Sequence, residues 1–71
     1  MKLSIVIPAY NEEKRIGKTL QEYSKFFSYL SKKEKFNYEI VVVINNTTDR
    51  TEEIVKKHIK KNKNIQNMNV K

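Results

Sequence analysis

The apolar residues of this chain fall into two short runs and one long spaced stripe. Residues 3 to 7, Leu-Ser-Ile-Val-Ile, are β-branched and mostly apolar without clean alternation. That pattern predicts a strand covered on both faces, as in a parallel sheet. Pro8 lacks the amide proton that a central ladder needs and closes the run. Beyond Asn11 the period changes, with Ile16, Leu20, Tyr23, Phe27 and Leu30 at spacings of 4, 3, 4 and 3. These positions share one stripe of an α-helix. Asn11 is the predicted N-cap, and Glu12 and Glu13 suit the positive end of the helix dipole. A helix of about 20 residues is about 30 Å long, enough to cross back over a sheet. The polar stretch Ser31-Lys32-Lys33-Glu34-Lys35 reads as the return loop, and residues 38 to 44, Tyr-Glu-Ile-Val-Val-Val-Ile, as a second two-sided strand.

Strand, helix and strand in that order make a βαβ unit with adjacent parallel strands and a right-handed crossover. Asp49 followed by Glu52 has the spacing of a capping box, so a second helix should start near Arg50. Its apolar side, Ile54, Val55, His58 and Ile59, is weaker than that of the first helix, and the lone His58 reads as packing or surface. Residues 65 to 70 could open a third strand through Ile65, Met68 and Val70, but their Asn and Gln content argues against it. The elements read in order as β-α-β-α, with no internal repeat and no interdomain linker.

Composition narrows the picture. With 71 residues the chain is one small domain at most. It has no cysteine, hence no disulfide and no thiolate metal site. Leu, Ile, Val and Phe make up 20 of the 71 residues, above the roughly 20% level below which disorder is the default. The longest unbroken apolar run, Ile40 to Ile44, is far short of the roughly 18 residues of a membrane span. Fifteen Lys and Arg oppose eight Asp and Glu, and after Glu53 there is no acid. Lys56, Lys57, Lys60, Lys61, Lys63 and Lys71 are therefore either a solvated face or an attractor for nucleotide phosphate, nucleic acid or anionic lipid.

In an open parallel sheet, ligands bind beyond the carboxyl ends of the strands. Pro8-Ala9-Tyr10-Asn11-Glu12 and Asn45-Asn46-Thr47-Thr48-Asp49 occupy that edge. Neither has the Gly-rich turn of a dinucleotide fingerprint or a Walker A loop. They offer an aromatic ring at Tyr10, a carboxylate at Glu12 and amides at Asn45 and Asn46, groups suited to stacking on one base and reading its polar edge. Capping by itself also accounts for Asn11, Glu12 and Asp49.

The segment Ser4-Ile5-Val6-Ile7-Pro8-Ala9-Tyr10-Asn11-Glu12-Glu13, running on to Leu20, resembles the opening of family 2 glycosyltransferases, which have the GT-A fold. The likeness is to their dolichyl-phosphate glucosyl- and mannosyltransferase branch. There a Val-Asp-Asp-Gly-Ser-x-Asp-x-Thr segment ends the second strand. Here the frame is kept by Val43, Asp49 and Thr51, while Ile44 and Asn45 stand where the family has its acid pair. An amide at Asn45 can donate and accept but supplies no charge.

The resemblance implies a Rossmann-like β-α-β-α fragment of a GT-A fold, residues 1 to 71 being the N-terminal part of the domain. It implies binding of a UDP- or GDP-sugar, with transfer to an acceptor such as a polyprenyl phosphate in the complete enzyme. Pro8, Ala9 and Tyr10 would line the base pocket, and Glu12 and Asn45 would fix its polar edge. The family's Asp-x-Asp metal site is absent and Asp49 is the only aspartate, so Mg or Mn is expected only in a longer enzyme and the 71 residues alone are expected to be inactive. A cytoplasmic location, at the cytosolic face of a membrane if the acceptor is a lipid, goes with that reading. Two sparsely covered apolar strands predict self-association. The competing reading is a small basic binder of nucleic acid or an anionic surface.

Overall fold

The computed structural model describes residues 2–45 and 48–70. Five elements follow in order: β1 (Lys2–Ala9), α1 (Ile16–Glu34), β2 (Asn37–Asn45), α2 (Thr51–Lys61) and β3 (Ile65–Val70). The strands form one sheet in the order β1-β2-β3. Both pairings are parallel, with Ile5 opposite Ile40 and Ile40 opposite Ile65. The α/β class and the adjacent parallel strands expected from the sequence are thus present.

Alternation along β2 sends Tyr38, Ile40, Val42 and Ile44 to one face, and all four are buried. Ile16 and Leu20 of α1 and Val55 of α2 complete that core, with Ala9 and Ile65. Both helices therefore lie on the same side of the sheet. Leu20, Ile40, Val42 and Val55 are sealed from solvent, and each such side chain contributes roughly 1.5–3 kcal/mol on burial.

The opposite face is apolar as well but uncovered, in line with the sparse covering expected of these strands. Register places Val6, Val41, Val43, Met68 and Val70 there, and Val6 is 62% and Met68 56% exposed. No described element covers it.

Three local expectations change. First, the return loop is helical almost to its end, because α1 continues through Ser31 to Glu34 and turns at Lys35. Lys35 takes the left-handed conformation, φ 54°, and the N–H groups of Lys35 and Phe36 both donate to the Ser31 carbonyl. This is the closure usual at helix ends, here without glycine, and it returns Phe36 to the core.

Second, β3 forms in spite of its polar residues. The Asn62 side chain accepts the Asn64 N–H, the Asn64 amide donates to the Tyr38 carbonyl at 2.6 Å, and the Ile40 N–H donates to the Asn64 carbonyl at 2.7 Å. These bonds start the ladder, and burial of Ile65 anchors it.

Third, Asn11 does not cap α1. The helix starts five residues later, and Arg15, at its N-cap position, makes no side-chain cap.

Candidate functional site

The carboxyl ends of β1 and β2 bring the two singled-out loops to one edge. Ala9 and Ile44 are the last residues that β1 and β2 pair with each other, so Tyr10 and Asn45 each lie one step beyond them. Tyr10 is 61% exposed and Asn45 is exposed at the end of β2. Pro8 is exposed in β1, whereas Ala9 is buried in the core, leaving only its backbone for a ligand. Asn46 and Thr47 of the second loop, like Lys71 of the basic third, lie outside the described residues.

A hydrogen-bonded clasp ties these loops together. The Thr51 hydroxyl donates to Asp49 Oδ1 at 2.5 Å and accepts the Glu12 N–H at 2.7 Å. Asp49 also accepts the Thr51 N–H on Oδ1 and the Glu13 N–H on Oδ2. Asn11 completes the clasp by accepting the Thr48 N–H on its side-chain oxygen at 3.0 Å. Its backbone takes φ 49°, a left-handed conformation that Asn tolerates better than most residues. Thr51 is fully buried, and as a hydroxyl it can donate and accept at once.

Asp49 departs from the expected capping box. Its carboxylate does meet the start of α2, but Glu52 accepts from Asn69 at 2.7 Å and pairs with Lys56 at 3.8 Å. Partial desolvation pushes the Asp49 carboxyl up. The hydrogen bonds from the Thr51 hydroxyl, the Thr51 N–H and the Glu13 N–H outweigh it and hold the group below the ordinary aspartate range.

Glu12 is half-buried and its carboxylate is 2.7 Å from the Arg15 guanidinium. Ile7, Pro8, Glu12, Arg15, Ile16 and Thr19 line a shallow depression beside the loop. Thus Tyr10 and Asn45 present exposed aromatic and polar surface, while Glu12 is oriented by a cation.

The roles of Thr51 and Arg15 were not read from the sequence. Thr51 had a signal in its Asp-x-Thr spacing, but its acceptance of the Glu12 N–H spans 39 positions. Among the described residues no group of three or more His, Asp or Glu side chains could hold a metal ion. Both Asp49 oxygens are engaged within the clasp.

Glycosyl transferase family 2 matches residues 4–69. A dolichyl-phosphate beta-glucosyltransferase of Trichomonas vaginalis is 44% identical over 64 residues, which are 89% of this chain and 20% of that protein. Its Dictyostelium discoideum counterpart is 40% identical over 60 residues, 83% of this chain and 18% of that protein. The Homo sapiens enzyme is 39% identical over 64 residues, 84% and 19% respectively. The chain thus spans about one fifth of the length of the curated relatives it matches. No solved structure gives a significant match.

Proposed function

Since the chain belongs to glycosyl transferase family 2, we propose that its clasped loop edge is the base-binding half of a nucleotide-sugar site. Tyr10 stacks on the base, Asn45 hydrogen-bonds its edge, and Glu12, held by Arg15, accepts from a donor on the base or ribose. The backbone of Pro8 and Ala9 forms the floor. The observation that carries this reading is the clasp itself, because Thr51, Asp49 and Asn11 tie the loop after Tyr10 to the segment that leads into α2.

The donor is a UDP- or GDP-sugar. The relatives are named for glucosyl transfer to dolichyl phosphate, and by that likeness a polyprenyl phosphate accepts the sugar in the complete enzyme. With that acceptor the protein would act in the cytoplasm, at the cytosolic face of a membrane. Neither described helix is long and apolar enough to cross a membrane. These 71 residues are assigned binding without turnover, because they carry no Asp-x-Asp motif like the family's metal site. As a separate chain they self-associate, a second copy covering the open sheet face at Val6, Val41, Val43 and Met68.

Titration of UDP and GDP, followed by amide chemical shifts with and without Mn²⁺, tests the site. Weak binding is expected without a divalent ion, with shifts at Tyr10 and Asn45 and loss of binding in Tyr10→Ala. A strict Mn²⁺ requirement, or shifts confined to the α2 lysines, would overturn the assignment.

A further inference from the structure

The outer face of α1 carries large apolar groups that nothing described here covers. Phe26 is 57% and Tyr29 63% exposed, on a helix whose other side supplies Ile16 and Leu20 to the core. The Phe26 ring sits edge-on to Phe27 at 5.1 Å, which fixes its direction. Lys33 Nζ lies 5.9 Å from the centroid of the Tyr29 ring. Lys25, Ser28, Tyr29, Lys32 and Lys33 line one shallow depression, as expected of residues three and four apart on a helix. No ion pair among the described residues involves Lys25, Lys32 or Lys33. From Tyr23 to Lys33 α1 has no acidic residue, and Glu22 is paired with Lys18.

Rings framed by unpaired lysines on a convex helix face match the chemistry of an anionic bilayer surface. Aromatic side chains settle at headgroup level, and lysine stems lie along the apolar boundary while their ammonium groups reach lipid phosphates. Single-stranded nucleic acid is bound instead in a basic groove that tracks its backbone, and this face has only a shallow hollow. We propose that the C-terminal half of α1 docks on an anionic lipid surface, with Phe26 and Tyr29 among the headgroups and Lys25, Lys32 and Lys33 against their phosphates. This surface is separate from the Tyr10 edge and stands whether or not that edge binds a nucleotide.

The chain has no tryptophan, so Phe26→Trp is a lone fluorescent reporter, with Lys56→Trp on α2 as its control. Vesicles of phosphatidylcholine with phosphatidylserine should shift the emission of the Phe26→Trp protein to the blue and leave that of the Lys56→Trp protein unchanged, whereas pure phosphatidylcholine should move neither. In co-sedimentation, K25Q/K32Q/K33Q should lower partitioning on the order of a hundredfold, about fivefold per lysine. F26S/Y29S should lower it on the order of tenfold, and K56Q/K57Q/K60Q should leave it within about twofold. These positions are exposed, and circular dichroism verifies that each variant is folded. An unshifted Phe26→Trp emission would overturn the proposal. So would loss of partitioning in the α2 variant instead of the α1 variant, or binding to single-stranded RNA with none to anionic vesicles.

Discussion

Asp49 and Thr51 are bonded to each other twice, Oδ1 accepting the Thr51 N–H at 3.0 Å and its hydroxyl at 2.5 Å. Through this pair a loop residue fixes the entry to α2 and also presents the hydroxyl oxygen to the Glu12 N–H of the other loop.

Thr51→Val keeps the shape but removes both functions of the hydroxyl, leaving the Glu12 N–H without its acceptor. Loss of such a partner in a buried setting costs about 1–3 kcal/mol. Urea denaturation should show that loss, with Thr51→Ser retaining most of the stability. Equal stability of Thr51→Val and the parent would mean that the clasp does not hold the loops.

His58 makes folding sensitive to acid. Desolvation first, and the positive charge of Lys61 second, hold its imidazole below the ordinary value of about 6.5. Lys25 and Lys61 line the same hollow as His58, so no carboxylate there offsets its protonation. The unfolded chain then binds the proton more readily than the native one. This contribution to stability is fully present above about 6.5 and is lost as pH falls through the lower native value. Thermal melts from neutral pH to about pH 5 should show a decline that His58→Gln reduces. An unchanged decline in that variant would assign the effect to other groups.

Gly17 sits in the first turn of α1, and a Cβ there would meet His58 Nε2 and Ile54 Cγ2 at 3.6 Å, ordinary contact distances. Its φ is not positive. Gly17→Ala should therefore gain helix propensity without a clash and raise stability by about 0.5–1 kcal/mol. A lower melting temperature would show that the approach of α1 to α2 has less room than these distances indicate.

The open sheet face accounts for the expected self-association. Val6→Lys and Met68→Lys place charges on that face without touching the core, and sedimentation at physiological salt should show the doubly substituted chain shifting to monomer. The charge of +7 should not prevent the parent from associating, since repulsion is screened beyond about 8 Å at 0.15 M salt. A parent chain that is already a compact monomer would remove this expectation.

What the sequence by itself determined is what neighbouring residues encode. The β-branched runs at 3 to 7 and 38 to 44 are short and favour strands, and the stripe from Ile16 to Leu30 makes one helix face. A single long helix between two such strands leaves parallel pairing as the economical arrangement. The family resemblance, carried by the Tyr10 loop and by Asp49 and Thr51, was legible for the same reason, being a pattern of residues at fixed spacings.

Tertiary structure decided what depends on residues far apart. Ile65-Gln-Asn-Met-Asn-Val has little strand propensity of its own and is a strand because β2 offers a ladder and the core takes Ile65. Ser31 to Glu34 look like a loop because they are polar, yet Lys32, Lys33 and Glu34 are exposed helix formers and the Ser31 hydroxyl donates to the Ser28 carbonyl within the helix. Asn11 reads as a cap because caps are local, whereas its partner Thr48 is 37 positions away. The side of the sheet on which both helices pack, and hence the exposure of Val6 and Met68, follows from the path of the chain in space, which no short window of sequence records.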